Sequence, residues 1–220
     1  AFAMIPRVMY RLPSTGRVDV NLFIPSQATI EMGGQSIALS QETEYPLNGN
    51  VQITVNPQRE ASFTIGLRIP AWSQKTAVEV NGQKVEGVRA GQYCLIERTW
   101  KAGDRISLTT DIKARLIEMN DMQAIERGPV VLARDTRFRD GYIDEACLIP
   151  THDGNIVDLE PISAPKDMWM AFRLTMPRGA YNTETFVTNF CDFASAGNTW
   201  NQAERYRVWL PKINDPSKVK

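Results

Sequence analysis

Apolar and polar residues alternate along most of this chain, and that period of two constrains the fold more than any other feature. Val18, Val20, Leu22 and Ile24 are interleaved with Asp19, Asn21 and Phe23; Val51, Ile53 and Val55 with Gln52, Thr54 and Asn56; Phe63, Ile65, Leu67 and Ile69 with Thr64, Gly66 and Arg68. Successive side chains of a strand point to opposite faces, so each stretch lays one apolar row on a core and turns the other row away from it. Asn81-Gly82 stands between Val78-Glu79-Val80 and Gln83-Lys84-Val85. A type I′ turn needs positive φ at both central residues, which Asn-Gly tolerates well, so a two-residue hairpin is expected here. That turn sets Val78 opposite Val85 and Glu79 opposite Lys84, one apolar pair and one pair of opposite charge.

Further strands are expected at residues 92–98, 105–110, 127–133, 170–176, 185–191 and 205–210. Many short strands parted by Gly, Pro, Asn and Asp predict an all-β chain, and their number predicts two antiparallel β-sandwich domains in tandem. Residues 18–117 would form the first and 118–220 the second. The last strand, 205–210, either closes the second sandwich or returns to the first. Residues 1–17 differ. Phe2, Met4, Ile5, Val8, Met9 and Leu12 recur at helical spacing, while Pro6 and Pro13 limit any helix to about two turns. So short a helix is marginal alone, so it is expected to lean on something upstream. Without an initiator Met or a signal-like opening, the chain is expected to be a piece of a longer polypeptide.

Composition excludes several partner classes. Lys plus Arg equals Asp plus Glu at 25 each, with no basic stripe for nucleic acid and no basic helix for a membrane surface. No apolar run approaches the roughly 20 residues that span a bilayer as a helix. Three cysteines cannot all pair within one chain, which argues against a disulfide scaffold. Periplasmic, extracellular and cytoplasmic settings all stay open.

Candidates for chemistry are few. The one histidine, His152, precedes Asp153-Gly154; it could be a loop base oriented by Asp153, but a turn signal favours a solvated residue. Cys94, Cys147 and Cys191 have no Cys-x-x-Cys spacing, and a free cysteine packs as a small hydrophobe, so no metal ligand is assigned. Asp140, Asp144 and Glu145 could supply paired carboxylates for glycoside hydrolysis, yet a chain with 25 acids offers such pairs by chance. Among the five tryptophans, Trp200 lies in Gly197-Asn198-Thr199-Trp200-Asn201-Gln202, a polar loop. With Asn198 and Asn201 it is the candidate carbohydrate-binding group, the indole face stacking on a sugar ring and the amides meeting its hydroxyls.

Six segments in order resemble a known family. They are Val20-Asn21-Leu22-Phe23-Ile24-Pro25-Ser26; Leu67-Arg68-Ile69-Pro70-Ala71-Trp72; Val80-Asn81-Gly82; Gly91-Gln92-Tyr93 leading to Arg98-Thr99-Trp100-Lys101-Ala102-Gly103-Asp104; Glu126-Arg127-Gly128-Pro129-Val130-Val131; and Tyr206-Arg207-Val208-Trp209-Leu210-Pro211. Together they resemble the β-L-arabinofuranosidase-like enzymes of glycoside hydrolase family 127, over nearly the whole chain. The resemblance implies an (α/α)6 catalytic barrel followed by β-sandwiches. It also implies a cysteine nucleophile and a zinc site, both upstream of the Val20-Asn21-Leu22 strand and matched by none of the three cysteines here. No catalytic residue and no metal ligand is carried over, and residues 1–10 would be the end of the last barrel helix.

The expected function is therefore that of a non-catalytic accessory region. Its first partner would be the catalytic barrel of its own parent, whose zinc would be the cofactor, with a second copy of the chain as a further partner at a subunit interface. The alternative is a carbohydrate-binding module that takes plant-type, arabinose-containing glycans through exposed aromatics. A stand-alone enzyme working through Asp144 is the third reading.

Overall fold

The computed structural model describes residues 4–177 and 184–213. It is almost wholly β and divides into two compact units, residues 1–112 and 113–220. The boundary expected after residue 117 would fall inside a strand of the second unit, Ala114–Met119.

The first unit is a two-sheet sandwich. One sheet has the order β1 (Tyr10–Ser14), β2 (Arg17–Val20), β6 (Ala61–Arg68), β9 (Tyr93–Trp100). The other runs β3 (Ser26–Met32), β4 (Gln35–Thr43), β5 (Asn50–Pro57), β10 (Asp104–Thr109), β7 (Ala77–Val80), β8 (Gln83–Lys84). Every pairing is antiparallel except β2 with β6. The alternating rows meet in one core: Val18, Val20, Phe63, Ile65 and Leu67 from the first sheet face Ile37, Leu39, Val51, Ile53, Val55, Ile106 and Leu108 from the second. Burying each such side chain is worth about 1.5–3 kcal/mol against leaving it in water. Trp100, fully buried, closes the row by donating its indole N–H to the Phe63 carbonyl at 3.0 Å.

The hairpin forms as its residues dictate. Asn81 and Gly82 both take positive φ, 52° and 79°. Glu79 pairs with Lys84, and the Val85 N–H donates to the Val78 carbonyl at 2.8 Å. The Asn81 amide then ties the turn to the neighbouring strand, donating to Asp104 Oδ1 and accepting from the Arg105 N–H, each at 2.8 Å.

The N-terminal expectation is corrected in part. A helix does form, but over five residues only, Ile5–Met9 (α1), with Pro6 in its first turn. It buries Met9 and leaves Met4 and Val8 exposed. Residues 10–14, expected as helix and linker, are edge strand β1, where Pro13 is tolerated because an outer strand need not donate every N–H. Phe2, expected on the helical face, lies outside the described residues.

In the second unit the path runs β14 (Ile156–Val157), β11 (Ala114–Met119), β12 (Met122–Arg127), β13 (Val130–Asp135), β17 (Thr185–Asp192), β16 (Ala171–Pro177), β15 (Glu160–Ile162). The pivot is β13: Val130 and Val131 pair with β12, Leu132 and Ala133 with β17, and Arg134 and Asp135 with β18 (Tyr206–Arg207). Residues from both halves of the path, Ile125 and Leu132 on one side and Phe172, Leu174 and Phe190 on the other, share one core. The expected strand 205–210 is split into β18 and β19 (Leu210–Pro211), which pair with β13 and β12, so it belongs to the second unit. The strand expected at 127–133 is likewise two strands, broken at Gly128-Pro129.

Candidate functional site

The loop that carries Trp200 follows β17 and ends at β18. Its frame is Asp135, the last residue of β13, whose carboxylate accepts from the Arg137 N–H, Nε and Nη2 at 2.9 Å and from the Gly197 N–H at 3.0 Å. Burial alone would raise the Asp135 pKa, but the bonds and charge of Arg137 and the Gly197 N–H outweigh it and hold the carboxyl below its ordinary value. Arg137 reaches on to the Ser195 carbonyl at 2.7 Å and to Asn198 Oδ1 at 3.0 Å. Gly197 lies so close to the Tyr206 ring that a Cβ there would fall 2.7 Å from it.

On this frame the three sequence candidates differ in role. Asn198 spends its amide on the fold, accepting from Arg137 and donating to the Asp167 carbonyl at 2.7 Å. Asn201 closes a turn, its Oδ1 accepting from the Ala203 N–H at 3.0 Å. Trp200 is 92% exposed, and its backbone sits at φ 57°. A left-handed conformation is uncommon for so bulky a residue and is held by the bonds around it. Trp169, one of the five tryptophans but not singled out from the sequence, is 49% exposed, and its N–H donates to Ser195 Oγ at 2.9 Å, binding a second tryptophan-bearing loop to the first. Nothing local in Asp167-Met168-Trp169 signals that neighbour, since the bond spans 26 residues.

The other candidates are engaged in architecture. Asp140 accepts from the Asn189 N–H and Nδ2 and lies 3.7 Å from the buried Arg134 guanidinium. Asp144 is paired with Arg207 and Arg205. The two acids thus clamp their loop to β13, β17 and β18. Glu145 has a partner as well. His152 is exposed, its ring nitrogens 3.0 Å from Asp158 and 3.3 Å from Asp153, and these carboxylates raise its pKa.

The zinc implied by the family resemblance does not fit these residues. Cys94, Cys147 and Cys191 are all buried and unpaired, and burial pushes the Cys147 and Cys191 thiols up to about 11 and about 12. A zinc ligand needs the thiolate, which burial disfavours. Among the described residues no group of three or more His, Cys, Asp or Glu side chains is placed to hold a metal ion. No helix there is long and apolar enough to cross a membrane.

Comparison with known proteins agrees with the architecture. Residues 17–112 match the family model of the β-L-arabinofuranosidase GH127 middle domain. Among solved structures, a GH127 β-L-arabinofuranosidase from Geobacillus stearothermophilus T6 is similar with a TM-score of 0.75 and 25% identity, over 96% of this chain and 36% of that one. A protein described as a glycoside hydrolase matches with a TM-score of 0.75 and 26% identity, over 94% of this chain and 37% of that one. A GH127 β-arabinofuranosidase shares the fold with a TM-score of 0.77 at 22% identity, over 93% of this chain and 36% of that one. No curated protein gives a significant sequence match. This chain therefore spans a little over a third of the length of the solved structures it matches; its residues 17–112 match the GH127 middle domain, and the chain as a whole is similar in fold to a β-rich part of those glycoside hydrolases.

Proposed function

We propose that this chain is a non-catalytic support region of a β-L-arabinofuranosidase-like glycoside hydrolase, bracing the catalytic barrel of its parent and contributing to a subunit interface. The observation that carries the reading is the state of its reactive side chains. The thiols are buried, and Asp140 and Asp144 are occupied in clamping a loop. A nucleophile or general acid needs access to substrate. The zinc and the cysteine nucleophile of the parent would lie in the barrel. The purified chain is expected to unfold cooperatively, to leave aryl β-L-arabinofuranosides intact and to hold no stoichiometric zinc. Turnover by the pure chain, lost on replacing Asp144 by Asn, would overturn this.

A carbohydrate-binding role is favoured at one place. Trp200 is nearly fully exposed on a loop cross-linked to β13, as a preorganised contact for arabinose-containing glycans would be. Calorimetric titration with L-arabinofuranose oligosaccharides checks it, a pure brace giving no heat.

A further inference from the structure

We infer that Trp169 and Trp200 form a two-ring shelf that binds an oligosaccharide across at least two sugar units. The inference rests on reading the Trp200 loop as a carbohydrate-binding element, and adds to it a second ring and therefore a minimum ligand length.

The two loops are bonded at two points: Asn198 Nδ2 to the Asp167 carbonyl at 2.7 Å and the Trp169 N–H to Ser195 Oγ at 2.9 Å. Trp200 lies two residues beyond the first bond and Trp169 at the second. Two residues of extended chain span at most about 7 Å, so the backbone that carries each tryptophan lies close to the bonds that join the two loops. Both loops are also tied to the strands beneath. Asp192, at the end of β17, accepts from the Ser195 N–H at 2.9 Å and the Met170 N–H at 3.1 Å. The loop backbone that presents the rings is thus fixed before binding, which lowers the entropic cost of association.

The surroundings favour a sugar over a protein partner. Protein hot spots set a tryptophan inside a seal of close-packed contacts that exclude water. Trp200 is flanked by Thr199, Asn201 and Gln202, with Glu204 bonded to Thr199 and Asn201. Among the described residues no aromatic ring contact involves Trp169 or Trp200, whereas Phe193 and Tyr206 pack on each other at 5.9 Å. A nearly fully exposed indole flanked by amide, hydroxyl and carboxylate groups, with a second, half-exposed indole on the bonded loop, matches a ligand with C–H faces and a hydroxyl edge.

The test uses the 220-residue chain and L-arabinofuranose oligosaccharides of one to four units, followed by calorimetry and by the indole N–H signals in NMR spectra. Affinity is expected to rise about tenfold from one unit to three, at roughly 1.4 kcal/mol per decade, and both indole signals should shift. Trp200→Ala should abolish binding at every length. Trp169→Ala should reduce the longer ligands to the affinity of the single unit. If Trp200→Ala abolishes binding while the Trp169 signal stays still and affinity does not grow with length, the shelf is wrong and the Trp200 loop still binds carbohydrate. If wild-type chain gives no heat and no shift with any ligand, both fall. The wild-type NMR arm needs no substitution, so a poorly folded Trp169 variant leaves the test decisive.

Discussion

The carboxylate of Asp19 lies directly over the Cα of Gly66 on the neighbouring strand, in the volume that a side chain at position 66 would take. Asp19 is almost fully buried there and is bonded by Arg17 Nε at 2.7 Å. A Cβ at residue 66 would also press on Leu95, at 3.2 Å. Gly66→Ala must either move β2 from β6 or break the Arg17–Asp19 pair and leave a buried carboxylate less well served. A loss of about 2–3 kcal/mol is expected, read as a lower urea midpoint at unchanged slope.

Asp135 should make the second unit acid-labile in a way that one substitution removes. Its carboxyl is held below the ordinary carboxylate value in the folded chain, so the stability it contributes is present above that value and is lost as pH falls through the depressed one. Urea midpoints between about pH 2 and 6 should fall more steeply for the wild-type chain than for Asp135→Asn. The Asn variant should also be less stable at neutral pH, because it loses the charge that faces Arg137. Parallel pH profiles for the two would exclude this role.

The single imidazole gives a clean titration. Hydrogen bonds to Asp158 and then Asp153 favour the protonated ring, so the His152 midpoint should lie above the ordinary value near 6.5. Any stability it adds is complete below the unfolded value and disappears as pH rises through the folded one. Asp158→Asn should bring the midpoint down in a proton NMR titration, and an unmoved midpoint would show that the contact is not populated.

Thiol chemistry should report the two cores. With burial raising all three thiols, a disulfide reagent such as Ellman's should react slowly with the native chain at pH 8 and release three equivalents in denaturant. Fast reaction of any one thiol in the native state would place it outside its core.

How much of this was legible from residues alone varied with the range of the interaction. The strands at Val51–Val55 and Phe63–Ile69 and the Asn81-Gly82 hairpin were plain, because alternation and turn chemistry are local. Strand β4 was not, since its buried row mixes Ile37 and Leu39 with Gln35 and Gln41, polar residues whose partners are distant: Gln41 Nε2 donates to Tyr10 Oη at 2.8 Å across 31 residues. The same limit hid the roles at the site. Trp200 could be placed in a polar loop from its neighbours, and it is exposed there. That Asn198 is a strut, that Asp140 and Asp144 are clamps, and that Trp169 stands beside the Trp200 loop all depend on long-range bonds.

By itself, then, the sequence determined the class of structure, two β-rich units built on rows of alternating side chains, and the order of its family motifs. Only the tertiary structure decided that residues 10–14 join a sheet, that the 205–210 segment pairs with β12 and β13, and which polar groups remain free to meet a ligand. The reason is physical: periodicity acts between neighbours in the chain, whereas a carboxylate or an amide has no set role until folding has placed its partner.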